Sequence, residues 1–230
     1  MELIFPHRCY FCRIGLTGKG EVVCSDCCSE IHYLRSPLCS CCGRELPDSG
    51  GGDHLCGHCL RRPPVYVRAR AVVCYEAPVS HLLHRLKYAA DTSTLPALAQ
   101  VIAPFVHDFH SETDRIVPVP LFPTRLKKRG LNQSLLLARI FFPEAGDALL
   151  VDVLIRTRNT PPQTTLDGSA RRKNLRAAFA VRNPAAVQGY RIFLVDDVFT
   201  TGTTVIECSK ALLAAGAVEI CVVTVARVAG

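Results

Sequence analysis

The sequence predicts an α/β domain with a mainly parallel sheet, preceded by a small cysteine-rich module. Ten of the 13 cysteines lie within the first 59 residues. From residue 65 onward, strand-like and helix-like segments alternate, which is typical of a parallel α/β sheet. Residues 1–62 carry seven basic and seven acidic side chains, so the formal net charge of +7 belongs to the rest of the chain. A chain of 230 residues is long enough for two such modules.

The sequence argues against two classes of protein. No apolar run approaches the roughly 18–20 residues of a transmembrane helix. The first residues lack the basic segment and following apolar segment of a secretory signal peptide. We therefore expect a cytoplasmic protein in a reducing compartment, where paired cysteines more often bind metals or do redox chemistry than form disulfides.

The cysteines of the first module form four Cys-x-x-Cys pairs. Two thiolates at this spacing can chelate one tetrahedral ion, and a second pair closes the site. We therefore predict a double zinc ribbon over residues 1–62, with two structural zinc ions that supply much of its folding energy. The pairs are Cys9 and Cys12, Cys24 and Cys27, Cys39 and Cys42, and Cys56 and Cys59.

Spacing alone leaves the grouping of these pairs open. Grouping in sequence order is the simplest arrangement, but eleven residues separate the first pair from the second and also the second from the third. Cys28 and Cys41 are the expected spare thiols. Free or disulfide-bonded cysteines are an alternative, and a thioredoxin-like redox site is disfavoured because no βαβ pattern surrounds any pair. Two prolines at 63–64 indicate a stiff linker, so we place the domains at 1–62 and 63–230.

The first half of the second module alternates between strands and helices. Residues 65–75 are rich in valine with polar interleaving and predict a strand, and residues 78–89 have apolar positions at helical spacing. A helix over 93–109 and a short strand over 115–120 follow. Leucines and an isoleucine at helical spacing predict one continuous helix over 123–142.

The second half continues this alternation. Strands are predicted over 149–155, 177–181, 190–195 and 219–225, and residues 157–176 are polar, basic and without clear periodicity. A helix over 203–215 ends at Gly216, which suits a helix C-cap.

The most informative segment joins the apolar strand at 190–195 to the next helix. The strand is followed by Asp196 and Asp197, and then by a loop rich in hydroxyl groups and glycine at 200–204. Parallel α/β sheets bind ligands at their carboxyl edge. Backbone N–H groups at a helix N-terminus can hold a phosphate, while paired carboxylates suit vicinal sugar hydroxyls or a cation that the substrate carries. This combination predicts a phosphorylated ribose as ligand.

Other readings of the acidic pair fit less well. A Walker B strand requires a G-x-x-x-x-G-K-[ST] loop, which the sequence lacks. No G-x-G-x-x-G opens a helix, which disfavours a dinucleotide fold. A CheY-like acidic pocket would need separated carboxylates and a later lysine.

Several segments together resemble a known family. Asp196 to Thr204 is similar to the signature of type I phosphoribosyltransferases that binds 5-phosphoribosyl 1-pyrophosphate (PRPP). The chain from Cys9 to Arg227 resembles the ComF/ComFC family of competence-associated, phosphoribosyltransferase-like proteins. Further matching segments are Leu86-Lys87-Tyr88, residues 117–121, 129–133, 160–163 and 171–174. One difference is Leu131, where the family usually has phenylalanine.

The resemblance implies a type I phosphoribosyltransferase-like fold and assigns roles to residues. Asp196 and Asp197 would hold the ribose hydroxyls. The 5′-phosphate would be enclosed by Thr200, Thr201, Gly202, Thr203 and Thr204. The pyrophosphate loop, where Mg²⁺ bridges PRPP oxygens and water, would comprise Pro118, Val119, Pro120 and Leu121. A flexible loop over 157–176 would contribute Gln163, Arg171, Arg172 and Asn174. The catalytic set would be Asp196, Asp197, Lys87 and Arg129, whose cations help pyrophosphate to depart.

Two stretches of the second module are strongly basic. Residues 125–139 hold five basic and no acidic side chains, and residues 156–182 hold seven basic side chains and one acidic. Such a stretch suits a solvated face, a site for the polyanion PRPP, or a groove for single-stranded DNA. The family resemblance implies a role in DNA uptake, with single-stranded DNA and uptake proteins at the inner face of the membrane as candidate partners.

We therefore expect a Mg²⁺-dependent phosphoribosyltransferase that acts in DNA uptake and natural transformation. It would transfer phosphoribose from PRPP to an unidentified nitrogen acceptor and release pyrophosphate. The alternative is a non-catalytic protein of the uptake machinery that senses PRPP or binds single-stranded DNA.

Overall fold

The structure, a computed structural model, describes residues 8–18, 20–47, 51–109, 114–158 and 177–229. Its strands are β1 (Arg68–Cys74), β2 (Asp114–Pro118), β3 (Leu154–Arg156), β4 (Phe179–Val181), β5 (Arg191–Phe199) and β6 (Glu219–Arg227). Its α-helices are α1 (Ser25–Ser29), α2 (Gly57–Arg61), α3 (Val79–Tyr88), α4 (Leu95–Ile102), α5 (Pro123–Arg129), α6 (Gln133–Phe141) and α7 (Thr203–Ala214). None of these helices is long and apolar enough to cross a membrane.

Four of the strands form a parallel sheet in the order β1-β6-β5-β2, which confirms the predicted fold class. The register places Val195 opposite Pro118 and Asp196 opposite Thr224. Because all four strands run in one direction, their carboxyl ends meet at one edge of the sheet. The separate pair of β3 and β4 is antiparallel.

Both faces of the parallel sheet are covered, as its almost uninterrupted apolar strands require. Phe193 and Val223 belong to the cluster that contains the apolar sides of α3, α4 and α6. On the opposite face, Ile192 and Val222 pack in a second cluster with residues of α7. The three cysteines outside the first module are buried within this framework, as expected: Cys74, Cys208 and Cys221.

The cysteine-rich module packs directly on the sheet domain. The Gln100 side chain on α4 accepts hydrogen bonds from the backbone N–H groups of Val22 and Val23 at 2.9 and 3.0 Å, and donates to the Val23 carbonyl at 2.8 Å. Further along, the backbone N–H of Ala69 on β1 donates to the Cys41 carbonyl at 2.7 Å. These hydrogen bonds fix the module against both α4 and β1.

The prediction of one helix over 123–142 is wrong. Helix α5 ends at Arg129, and Gly130 adopts a left-handed conformation with φ of 79°. Asn132 then caps α6, because its side-chain oxygen accepts a hydrogen bond from Ser134 N at 3.1 Å. A left-handed glycine commonly ends a helix, and asparagine is a favoured N-cap.

Three other predicted boundaries also change. The strand predicted over 149–155 is wrong, because Asp152 has φ of 65° and only Leu154–Arg156 forms a strand. The helix predicted over 93–109 is α-helical only at Leu95–Ile102, with 3₁₀ turns on either side. It ends at Ile102 because Pro104 has no N–H to continue the helix. Strand β5 continues to Phe199, so the two aspartates lie within the strand rather than after it.

Candidate functional site

A cavity of about 290 Å³ opens at the carboxyl edge of the sheet, above the ends of β2 and β5. Side chains from α3, α5 and α6 form its walls. Its lining residues are Lys87, Tyr88, Val119, Pro120, Leu121, Arg125, Arg129, Gln133, Ser134, Arg156, Asp196, Asp197, Val198, Thr200 and Thr204. Residues predicted from four separate segments of the sequence therefore meet in one place.

The acidic pair forms the floor of this cavity and is almost completely buried. Asp196 is 8% exposed and Asp197 is 3% exposed. Oδ1 of Asp196 accepts hydrogen bonds from the Ser134 hydroxyl at 3.0 Å and from the backbone N–H of Asp197 at 2.9 Å. Oδ2 of Asp197 accepts a hydrogen bond from Lys87 Nζ at 2.8 Å, which also makes the two an ion pair.

Burial and mutual repulsion set the charge of this pair. Burial, followed by the charge of Asp197, raises the pKa of Asp196 to about 7, although Lys87 opposes the shift. Burial alone would lower the pKa of Lys87, but the charges of Asp197 and Asp196 outweigh it and raise that pKa. Lys87 is therefore cationic at neutral pH, while Asp196 exchanges a proton near neutrality.

The loop at Thr200–Thr204 joins β5 to the N-terminus of α7. Gly202 is the N-cap with φ of 74°, and a Cβ there would lie 2.8 Å from Cζ of the Phe199 ring. Only glycine satisfies both conditions. The hydroxyl oxygens of Thr201 and Thr203 lie 2.8 Å apart. The loop thus presents hydroxyl groups and the N-terminus of a 12-residue helix, an arrangement that can bind phosphate.

The interruption between α5 and α6 arranges polar side chains along the cavity wall. The Arg129 guanidinium donates to Gln133 Oε1 at 2.6 Å. The Asn132 amide donates to the Val119 carbonyl at 3.2 Å and so ties this segment to the loop after β2. Ser134, two residues further, holds Asp196.

The loop after β2 offers few backbone donors. Pro118 and Pro120 have no N–H, and the N–H of Val119 donates to the Val195 carbonyl at 2.9 Å. The N–H of Leu121 is therefore the backbone donor of this segment that remains for a ligand.

The eight paired cysteines form two clusters in sequence order, the simpler of the groupings that their spacing leaves open. Within each cluster all four sulfur atoms lie within 4.8 Å of one another. The clusters are Cys9, Cys12, Cys24 and Cys27, and Cys39, Cys42, Cys56 and Cys59. The sulfurs of Cys12 and Cys24 are 3.6 Å apart, and those of Cys42 and Cys56 are 3.8 Å apart. Tetrahedral zinc with Zn–S bonds of about 2.3 Å places its sulfurs at about 3.8 Å, so both clusters fit this ion.

Backbone groups support thiolate character in each cluster. Cys39 Sγ accepts N–H groups from Cys56 at 3.3 Å and from Cys42 at 3.4 Å. Burial alone would raise the pKa of Cys39, but these donors lower it to about 6. The pKa of Cys9 is likewise lowered to about 6 by backbone donors, against the effect of its burial. One anionic sulfur per cluster therefore forms readily, which favours metal capture.

Comparison with known proteins gives the same two modules. The family model of the double zinc ribbon domain matches residues 1–60, and that of the phosphoribosyl transferase domain matches residues 126–230. The chain is 37% identical over 223 residues to "DNA utilization protein YhgH" of Salmonella typhi, covering 95% of this chain and 96% of that protein. It is 33% identical over 233 residues to "Competence protein F" of Haemophilus influenzae, covering 99% and 100%. The chain belongs to the ComF/ComFC family. It is also 29% identical over 215 residues to "Competence protein ComFC" of Bacillus subtilis, covering 87% and 82%.

ComF/ComFC membership confirms the predicted combination of a double zinc ribbon and a phosphoribosyltransferase domain. Together with the two four-cysteine clusters, it supports structural zinc in both ribbons. Cys28 and Cys41 lie outside the clusters, as expected for spare thiols.

The structure brings most of the predicted site residues together. Lys87, Arg129, Asp196 and Asp197 all line the cavity, as do most residues of the loop after β2 and both ends of the Thr200–Thr204 loop. Pro118, Thr201 and Thr203 each adjoin a lining residue in the chain, and Gly202 lies between Thr201 and Thr203. The flexible-loop residues Gln163, Arg171, Arg172 and Asn174 lie outside the described residues.

Sequence reasoning missed several cavity residues. Ser134 has no role in the sequence prediction, and Gln133 lies in the matching segment 129–133 without an assigned contact. Arg156 is 9% exposed in the cavity wall, and burial followed by repulsion from Arg125 lowers its pKa to about 10. The sequence indicates Arg156 only as part of a basic stretch, because tertiary packing brings β3 to the cavity.

Proposed function

We propose that the cavity binds PRPP together with Mg²⁺ and transfers its phosphoribosyl group to a nitrogen acceptor, with release of pyrophosphate. In this proposal Asp196 and Asp197 accept hydrogen bonds from the ribose hydroxyls. The Thr200–Thr204 loop holds the 5′-phosphate, and the segment from Pro118 to Leu121 lies beside the pyrophosphate.

One observation carries the proposal. A buried acidic pair, the N-terminus of α7 and four cationic side chains line one cavity at the carboxyl edge of a parallel sheet. The four cations are Lys87, Arg125, Arg129 and Arg156, against two carboxylates. This excess of positive charge matches a polyanionic ligand, while the carboxylates match the hydroxyl groups of a sugar.

The cavity residues suit a Mg²⁺ ion that arrives with PRPP. Asp196 and Asp197 are the carboxylates that line the described cavity, and Lys87 already pairs with Asp197. These residues would hold the ion through water or through the ribose oxygens, and Mg²⁺ supplies charge neutralisation of the pyrophosphate when bound. In this proposal, Lys87 and Arg129 stabilise the negative charge that develops on the leaving group.

Titration calorimetry with PRPP in the presence of Mg²⁺ tests this site. The double variant Asp196→Asn and Asp197→Asn should bind PRPP at least tenfold more weakly, because amides are poorer acceptors for sugar hydroxyls than carboxylates. Asp91→Asn is the matched control, since Asp91 pairs with Arg85 outside the cavity. Zinc content should not change in either protein. Equal PRPP affinity in the double variant and the wild type would refute the proposed site.

The biological role that we propose is in DNA uptake or use. Two relatives are named for competence and one for DNA utilization. We propose that this chain acts in the same process, in the cytoplasm. We also place the domain boundary at residue 62, directly after α2 and before the two prolines.

Binding of single-stranded DNA is a second candidate function. Lys127 and Lys128 are exposed on α5, and residues 125–139 contain no acidic residue to oppose a phosphate backbone. Fluorescence anisotropy with a labelled oligonucleotide at several salt concentrations tests this. Replacing both lysines with alanine should weaken binding and reduce its salt dependence, because fewer counterions are released. Absence of binding by the wild-type protein at low salt would remove this candidate.

A further inference from the structure

Arg227, the last residue of β6, carries a buried charge next to the second cysteine cluster. It is 6% exposed and lies at the carboxyl edge of the sheet, opposite Phe199 of β5. A buried guanidinium is costly unless its charge and donors are satisfied. The contacts of the Arg227 guanidinium therefore indicate which groups it holds in place.

Those partners belong to Cys42, a member of the second cluster. Nη1 of Arg227 donates to the Cys42 carbonyl oxygen at 2.6 Å, and Nη2 lies 3.9 Å from Cys42 Sγ. A zinc ion with four thiolates carries net negative charge, so a metal-loaded cluster gives this guanidinium an anionic partner. Arg227 thus contacts both the backbone and the ligand atom of one zinc-binding residue.

The other side of the guanidinium leads to the Thr200–Thr204 loop, called the phosphate loop from here on because we propose that it holds the 5′-phosphate. The Arg227 Cζ lies 4.6 Å from the centroid of the Phe199 ring, within cation–π distance. The same ring packs against Gly202, where a Cβ would come within 2.8 Å of it. Tyr66 braces the ring edge-on, with centroids 6.3 Å apart. A continuous chain of contacts therefore joins Cys42, Arg227, Phe199 and Gly202.

We infer that Arg227 is a positioning residue that couples the second zinc ribbon to the phosphate loop. Zinc in this cluster holds Cys42, Cys42 holds the Arg227 guanidinium, and the guanidinium keeps the Phe199 ring against the N-terminus of α7. Loss of this zinc then loosens the loop and weakens PRPP binding. The link to PRPP rests on the function proposed above, whereas the link to the loop does not.

The coupling works in both directions. If zinc in the second cluster strengthens ligand binding at the phosphate loop, the ligand strengthens zinc binding by the same factor. A ligand that orders the phosphate loop should slow the release of zinc from the second cluster. A purely structural role for Arg227 would lower stability without producing this ligand-dependent protection of the metal.

Arg70 provides a matched control. Its Nη1 donates to the carbonyls of Cys39 and Ser40 at 3.3 and 3.2 Å, so it supports the same cluster from β1. It also pairs with Asp53 at 3.7 Å. None of these contacts leads to the phosphate loop. Replacing Arg70 therefore perturbs the ribbon without touching Phe199 or Gly202.

The experiment compares the zinc-loaded wild type with Arg227→Met, Arg227→Lys and Arg70→Met. Amide hydrogen exchange of peptides covering residues 199–204 reports on the loop whether or not PRPP binds. We expect exchange to rise about tenfold in Arg227→Met, to rise less in Arg227→Lys, and to stay at the wild-type rate in Arg70→Met. Zinc transfer to a chromogenic chelator should be slowed by saturating PRPP and Mg²⁺ in the wild type and in Arg70→Met, but not in Arg227→Met.

The outcomes separate this inference from the proposed function. Unchanged loop exchange in a zinc-loaded Arg227→Met protein would overturn the coupling. So would an equal rise in Arg227→Met and Arg70→Met, since it would indicate general loosening of the ribbon. If wild-type protein shows no PRPP binding but Arg227→Met alone loosens the loop, the coupling stands and the proposed ligand is wrong.

Discussion

At the scale of single residues, the chemistry of the cavity comes from what surrounds the acidic pair. Asp196 is held by Ser134 and by the backbone N–H of Asp197, while Lys87 neutralises Asp197. The sequence shows the two carboxylates together because they are adjacent in the chain. It could not show Ser134 or Arg156 beside them, since these residues arrive from other elements through tertiary packing.

Asp196 should make PRPP binding depend on pH. Its pKa of about 7 in the free protein lies above the ordinary value of 3.8, so the carboxyl becomes protonated as pH falls through 7. Sugar hydroxyls bind the ionised form better, and affinity for Mg²⁺-PRPP should rise between pH 6 and 8 and level off above that range. Calorimetry across this range measures the effect.

The control for this pH dependence is Asp196→Asn, whose side chain does not titrate. PRPP also titrates near this range, so only the difference between the two proteins reports on Asp196. We expect a shallower pH profile in the variant, at lower affinity. Parallel profiles for the two proteins would show that Asp196 does not govern the binding.

At the scale of elements, the main departure from the sequence prediction is the break between α5 and α6. Apolar periodicity through residues 123–142 favoured one helix, but the left-handed Gly130 and the Asn132 cap divide it. Hydrophobic patterning reports which face is buried and is insensitive to such a local turn. The strand–loop–helix unit around Gly202 was predictable, because its strand, glycine and helix are contiguous in the chain.

The phosphate loop should not tolerate a side chain at Gly202. In Gly202→Ala, an alanine would have to adopt the left-handed backbone conformation, and its Cβ would lie 2.8 Å from the Phe199 ring. We therefore expect at least a tenfold loss of PRPP affinity and a lower free energy of unfolding. Gly189→Ala is the matched control, since Gly189 has φ of 79° and nothing within 4 Å of an added Cβ. It should cost about 1 kcal/mol of stability through backbone strain alone and leave affinity unchanged. Equal affinity losses in both variants would contradict this account of the loop.

At the scale of the whole molecule, two modules share one framework. The two ribbons were predictable from the local spacing of the cysteines. Grouping the four cysteine pairs in sequence order was the simplest choice. Their docking was not predictable, because it depends on α4 and β1 reaching them through Gln100 and Ala69. The result is that the second cluster lies close to the carboxyl edge of the sheet.

Metal content tests the ribbons. Wild-type protein should contain two zinc ions per chain by elemental analysis, as the two four-cysteine clusters require. Cys12→Ser should contain one, because three remaining sulfurs hold zinc far less tightly. Cys28→Ser, which changes a cysteine outside the clusters, should keep two. One zinc ion or none in the wild type would contradict the double-ribbon account.

The central claim is that the cavity at the sheet edge is a working PRPP site. A thermal unfolding series with Mg²⁺ alone, PRPP alone and both together tests it most directly. A ligand at about 100 times its dissociation constant adds roughly 2.7 kcal/mol to the unfolding free energy, which is readily visible as a higher midpoint. We predict a large shift only when both are present. No shift with PRPP and Mg²⁺ together would contradict the account.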